Sequence, residues 1–123
     1  MRFTPVILAA GLGLSFTALA ADDIMANLYG NTVIGKSAVG ESHTHYKADH
    51  TFTADLSSDQ GSMSTSGTWE LNDKGEICRT YTTPIPGFPS VICNPWSAHK
   101  IGDKWQTTFN GRTSEVTLVA GIQ

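Results

Sequence analysis

Two cysteines, Cys78 and Cys93, stand on either side of a loop that cannot join a β-ladder. The loop is PIPGFP, residues 84–89, and its three prolines lack an amide donor. The surrounding stretch, 67–96, is GTWELNDKGEICRTYTTPIPGFPSVICNPW. It reads as strand, tight turn at Asn72-Asp73-Lys74-Gly75, strand, rigid loop, strand. If the two strands pair symmetrically about the loop, Cys78 opposes Cys93. Opposed residues of adjacent antiparallel strands come within disulfide range. Closing a loop of about 15 residues stabilises by about 3 kcal/mol in the chain-entropy view. The stretch lacks the Cys-x-x-Cys spacing of a redox-active pair, so the bond reads as structural.

The rest of the chain repeats the same pattern of short strands and turn residues. Strands are expected at 31–36, 41–47, 51–56, 63–71, 76–82, 91–99, 105–109 and 113–119, the sixth broken near Asn94-Pro95. Ala48-Asp49-His50 is a tight turn, with His50 in a position that demands tolerance of the left-handed region. Asn110-Gly111 is the strongest two-residue hairpin signal. Residues 21–28, ADDIMANL, suit a short helix capped by Asp22 or Asp23 and stopped by Gly30. The expected fold is all-β: a small antiparallel up-and-down barrel of about seven or eight strands, with a short N-terminal helical segment and one disulfide. Barrel closure removes exposed strand edges.

The first twenty residues, MRFTPVILAAGLGLSFTALA, have a basic start, an apolar run and small residues at Ala18 and Ala20. That is the pattern of a secretory signal peptide, and the apolar run is short for a bilayer span. The expectation is a signal peptide over 1–20 and a single β-barrel domain over 21–123. The mature chain then has no membrane span and resides in the periplasm or outside the cell, where a disulfide persists. The whole chain has eight Lys/Arg and eleven Asp/Glu, net −3. That sign argues against nucleic acid and anionic membrane surfaces as partners.

Gly-Asn-Thr at 30–32, the Asp-containing turn before Thr51-Phe52, GTWELNDKGEICRTY, a second cysteine and GDKW at 102–105 follow one another in a recognisable order. This order resembles a group of small exported proteobacterial domains of unknown function with a lipocalin-like, or calycin-like, β-meander. His50 stands where that pattern has glycine. The resemblance implies the fold and carries no catalytic signature. Some exported calycin-like barrels bind small apolar ligands and others inhibit proteases, and neither role transfers by fold alone.

The one titratable cluster is ESHTHYKADH, 41–50. His43 and His45 fall on one face of a strand, with Cβ atoms about 7 Å apart, and His50 follows the turn. His43, His45 and His50 are therefore the candidate metal ligands, with zinc or copper as the cofactor imidazoles suit. Glu41 and Asp49 are candidates to orient or complete the set, and His99 to join from another strand. An exposed half-strand explains the same pattern without metal. The candidate ligand-binding set is Tyr46, Arg79, Tyr81, Phe88, Trp96 and Trp105, whose rings can line a barrel interior or rim. Trp69, sharing a face with Leu71, reads as core. No nucleophile elbow, phosphate-binding loop or dinucleotide fingerprint is present. Three functions stay open. One is a non-catalytic binding protein for a small molecule or metal ion. Another is a module binding an exported protein, such as a protease inhibitor. The last is a small barrel enzyme using cavity histidines.

Overall fold

The computed structural model of the protein describes residues 24–109 and 111–123. The expected leader, the caps Asp22 and Asp23, and Asn110 lie outside them. Eight strands follow in order: β1 (Thr32–Ser37), β2 (Gly40–Tyr46), β3 (Thr51–Ser58), β4 (Gly61–Leu71), β5 (Glu76–Tyr81), β6 (Val91–Pro95), β7 (Lys104–Phe109) and β8 (Arg112–Val119). All pairings are antiparallel, and the order across the sheet is β6-β5-β4-β3-β2-β1-β8-β7. The first six strands are a meander. The β7–β8 hairpin returns to place β8 against β1, which nearly closes the sheet into a barrel. Among the described residues no helix is long and apolar enough to cross a membrane.

Local chemistry explains the turns. His50 adopts φ +70°. Asp49 Oδ1 accepts from the Thr51 amide at 3.0 Å and from its hydroxyl at 2.5 Å, and these bonds hold the Asp49 carboxyl below its ordinary pKa. Asn72 Oδ1 accepts from the amides of Lys74 and Glu76, both at 2.9 Å, locking the β4–β5 turn. The short helix expected over 21–28 lies partly outside the described residues. Within them Ile24 and Met25 are helical and 26–30 make turns: the Leu28 amide donates to the Met25 carbonyl and the Asn31 amide to the Leu28 carbonyl. A segment this short gains little from helical propagation. It is held instead by Met25 and Leu28, both without exposed surface, which plug one end of the barrel.

The core gathers at that plugged end. Trp69, Tyr46, Phe52, Ile77 and Leu118 are buried there, with Tyr46 edge-on to Trp69 at 6.4 Å. The Trp69 indole N–H donates to the Lys47 carbonyl at 2.9 Å, and His50 stacks on its ring at 4.1 Å. The strand expected to run on to residue 99 instead stops at Pro95. Proline offers no donor to continue the ladder, and the Trp96 amide turns away to the Gly75 carbonyl at 2.8 Å. β6 and β7 are consequently not hydrogen-bonded to each other, and residues 96–103 cross the seam between them.

Cys78 pairs with Cys93 in register, Cα atoms 4.0 Å apart, and they form the expected disulfide. It lies on the outer face of the sheet, because Ile77 and Arg79 alternate inward. Its stabilisation therefore comes from restricting the unfolded chain and not from core packing. Reduction, or the double Cys78→Ala/Cys93→Ala change, should lower stability by about 3 kcal/mol. The denaturant midpoint should fall while the emission of folded Trp69 stays the same. Gly67 marks a second constraint. A Cβ there would sit 1.9 Å from the Thr80 carbonyl oxygen and 3.0 Å from the Phe52 ring. Gly67→Ala should thus force β4 and β5 apart and cost about 1–3 kcal/mol, read as a lowered Tm with disulfide formation retained.

Candidate functional site

The inward positions of β5 carry Ile77, Arg79 and Tyr81, opposite Leu71, Trp69 and Gly67 of β4. Alternation thus sends a guanidinium into an apolar barrel. One of its terminal nitrogens donates to the Tyr46 hydroxyl at 3.4 Å, and the other donates to Asn94 Oδ1. Its Nε is buried with no hydrogen-bond partner among the described residues. Burial works against the charge, and the phenols of Tyr46 and Tyr81 act the other way, leaving the Arg79 pKa raised. Burial also pushes the Tyr81 hydroxyl above its ordinary pKa, with Arg79 pulling against it. Tyr81 is thus neutral at pH 7, and no carboxylate among the described residues pairs with Arg79. Among the described residues the ion pairs are His43–Glu41 and His99–Asp103, and neither involves Arg79.

Five of the six candidate ligand-binding residues surround this interior. Tyr46 contacts Trp96 at 6.1 Å between ring centroids, Trp96 meets Trp105 edge-on at 5.7 Å, and Tyr81 packs edge-on against Phe52 at 5.2 Å. Trp96 Nε1 and Trp105 Nε1 are buried and, like Arg79 Nε, have no partner among the described residues. Three donors without acceptors thus belong to one aromatic-lined interior. The wall facing them is built from small inward residues: Gly35 and Ser42 on one row, Thr44, Ala54 and Thr65 on the next. Phe88 stands apart. It is 42% exposed on the proline loop and stacks on Phe109 at 5.5 Å, bridging the β6 and β7 sides of the seam.

His99 is the seam's own titratable group. Its ring lies flat on Trp105 at 3.5 Å and edge-on to Trp96 at 5.5 Å. Nδ1 is 3.5 Å from Asp103 Oδ2, and its carbonyl accepts from Asn27 Nδ2 at 2.8 Å. These contacts keep it away from the other histidines. His50 is likewise committed to Trp69. His43 and His45 are on the outer face of β2, so the three histidines proposed from sequence do not form a common three-ligand group. The Asp49 carboxylate is taken by Thr51. Among the described residues, Glu76, Cys78 and Cys93 alone bring at least three metal-ligand side chains of the His, Cys, Asp and Glu types within 4.8 Å of one another. Both sulfurs there belong to the disulfide, and Asn72 Nδ2 donates to Glu76 Oε1 at 2.8 Å. That group offers a cation one carboxylate and no thiolate.

Two concavities open on the surface. A groove of about 480 Å³ runs over β2–β4, lined by His43, Asp55, Leu56, Ser57 and Ser62 to Ser64. A second, of about 380 Å³, lies by the β1–β2 turn and the β3–β4 hairpin tip. Neither is lined by the aromatic residues. In the first, His43 faces Asp55 and Asp55 faces Ser64 across the strands. The Ser64 hydroxyl donates to Asp55 Oδ1 at 2.7 Å, and His43 Nε2 bonds Glu41 Oε2 at 2.5 Å. The serine is therefore coupled to a carboxylate and not to an imidazole base, which is the wrong order for an activated nucleophile. Sequence reasoning missed the partner of His43 and His45 that comes from farthest away, Gln123, because nothing near residues 43–45 signals it.

Comparison of the chain with protein-family models, curated proteins and solved structures finds no significant match to any of them.

Burial pushes the His99 pKa below its ordinary value, and Asp103 opposes this. As pH falls, the unfolded chain takes up that proton first. The stability linked to His99 is present above its unfolded pKa, about 6.5, and is lost as pH falls through the folded value. Tm should therefore drop between pH 7 and pH 5. His99→Phe keeps a ring on Trp105 but cannot titrate, so its Tm should fall less over the same interval. Identical slopes for the two proteins would contradict this assignment.

Proposed function

We propose that this protein is an exported, non-catalytic binding protein whose lipocalin-like barrel accepts a small anionic ligand beside Arg79. One observation carries the reading: a guanidinium inside the barrel with no carboxylate among the described residues to balance it. Arg79 is half-buried with its Nε fully covered, and a charge held partly away from water without a counter-ion costs free energy. A fold selected for stability alone would place an apolar residue at position 79. The unpartnered N–H groups of Arg79, Trp96 and Trp105 all point to the same complement, because each is a donor and none is an acceptor. A carboxylate or sulfonate with an apolar body supplies acceptor oxygens to these groups and carbon surface to Tyr46, Tyr81 and the indoles. Export is supported by the leader pattern and by a disulfide that oxidising compartments preserve.

The test pairs a charged probe with its uncharged parent. Anilinonaphthalene sulfonate should bind the folded protein with one-to-one stoichiometry and quench tryptophan emission. It should bind at least about tenfold tighter than phenylnaphthylamine, reflecting a charge-assisted hydrogen bond. Arg79→Met should abolish that preference while leaving Tm unchanged or raised, since replacing an unbalanced buried charge by an apolar side chain is neutral or stabilising. Equal affinity for both probes in the parent protein would refute an anion site.

A further inference from the structure

The chain's last residues cross back over the outer face of β1. The Thr32 hydroxyl donates to the Gly121 carbonyl at 2.8 Å and accepts from the Gln123 amide at 2.9 Å. The Gly121 amide donates to Asn31 Oδ1 at 2.8 Å. Thr32 is left with no exposed surface although it faces away from the core. These bonds deliver the main-chain oxygen of Gln123 to the two histidines of β2. His43 Nδ1 is 3.4 Å from it and His45 Nε2 is 3.3 Å from it. Two imidazole nitrogens thus converge on one main-chain oxygen from residues 78 and 80 positions away in sequence.

The remaining ring nitrogens are engaged elsewhere. His43 Nε2 is 2.5 Å from Glu41 Oε2, and His45 Nδ1 is 3.4 Å from Thr53 Oγ1. A neutral His43 has one N–H. Glu41 Oε2 and the Gln123 oxygen on its two sides are both acceptors, so that proton serves one of them; given to Glu41, it leaves Nδ1 with a lone pair facing the Gln123 oxygen. Two lone pairs facing each other repel unless a proton or a metal ion lies between them. Donors of a tetrahedral ion bound at about 2.0–2.1 Å are about 3.3 Å apart, which is the spacing found from each imidazole nitrogen to the oxygen. The carboxylate behind His43 is the partner that fixes the tautomer of a metal-ligating histidine.

We propose that His43 Nδ1, His45 Nε2 and the main-chain oxygen of Gln123 bind one divalent transition ion of the zinc or copper class, with Glu41 as the positioning residue for His43. Two imidazoles and a main-chain oxygen suit such ions better than magnesium or calcium, which prefer all-oxygen sets. The partly exposed position leaves water the fourth place. Bound there, the ion ties the C-terminal segment to β2, closing a link across β1. The site is independent of the Arg79 interior, because it lies on the opposite face of the sheet.

Isothermal titration of the chelator-treated, disulfide-intact protein with Zn²⁺ tests this directly, with Co²⁺ absorption reporting geometry. One equivalent should bind, Co²⁺ should give the intense visible bands of a tetrahedral site, and Zn²⁺ should raise Tm. His43→Ala and His45→Ala should each remove stoichiometric binding. Glu41→Gln should weaken it about 10–100-fold, and Thr32→Val, which releases Gln123, should weaken it as well. Glu76→Gln and Arg79→Met should leave it unchanged. His43→Asn and His45→Asn, which keep a polar outer face, serve where an alanine variant loses its native circular dichroism. Absence of stoichiometric binding in the parent protein overturns the proposal, as does undiminished affinity in either histidine variant. A one-to-one interior anion site with no metal site, or the reverse, tells the two proposals apart.

Discussion

The sheet leaves one gap, and the arrangement around it governs much of the molecule. Backbone donors and acceptors on an unpaired edge need cover. Here β6 and β7 face each other without a ladder. β6 ends because Pro95 cannot donate, and the chain then runs across the opening. Trp96, His99 and Trp105 form a stacked and edge-on aromatic cluster over it, while Phe88 and Phe109 bridge it nearer the proline loop. Side-chain packing replaces backbone pairing at this one place. The price is two indole N–H groups buried without acceptors among the described residues.

That same substitution shapes the interior. The plugged end is filled by Met25, Leu28 and the Trp69 group, and is a core in the ordinary sense. Beside it, alternation along β5 places Arg79 among phenols and indoles, where no carboxylate among the described residues balances it. The disulfide on the outer face holds β5 to β6 and so fixes the strand from which Arg79 projects. Stability and the candidate binding chemistry therefore share an element but use opposite faces of it: sulfur outward, guanidinium inward.

The outer face of β2 shows a different economy of parts. Its histidines gain their geometry from a segment that returns from the far end of the chain, anchored by the hydroxyl of Thr32. A threonine at an outward strand position is unremarkable by itself. Its role as both donor and acceptor for the returning segment follows only from the closure of β1 against β8.

Period-two alternation, turn residues and cysteine placement were enough to locate all eight strands, the left-handed His50 and the Cys78–Cys93 bond. Those features depend on neighbours in sequence, where local backbone preference and strand register act. Tertiary structure alone decided which strands were left unpaired, because that depends on whether the sheet's two ends meet. It also decided that His50 and His99 lie on tryptophan rings away from His43 and His45, that Gln123 joins the latter two, and that Arg79 pairs with no carboxylate among the described residues. Each of these sets residues together from distant parts of the chain. Side-chain type can announce that a histidine or an arginine is chemically able; only the closed sheet determines what it faces.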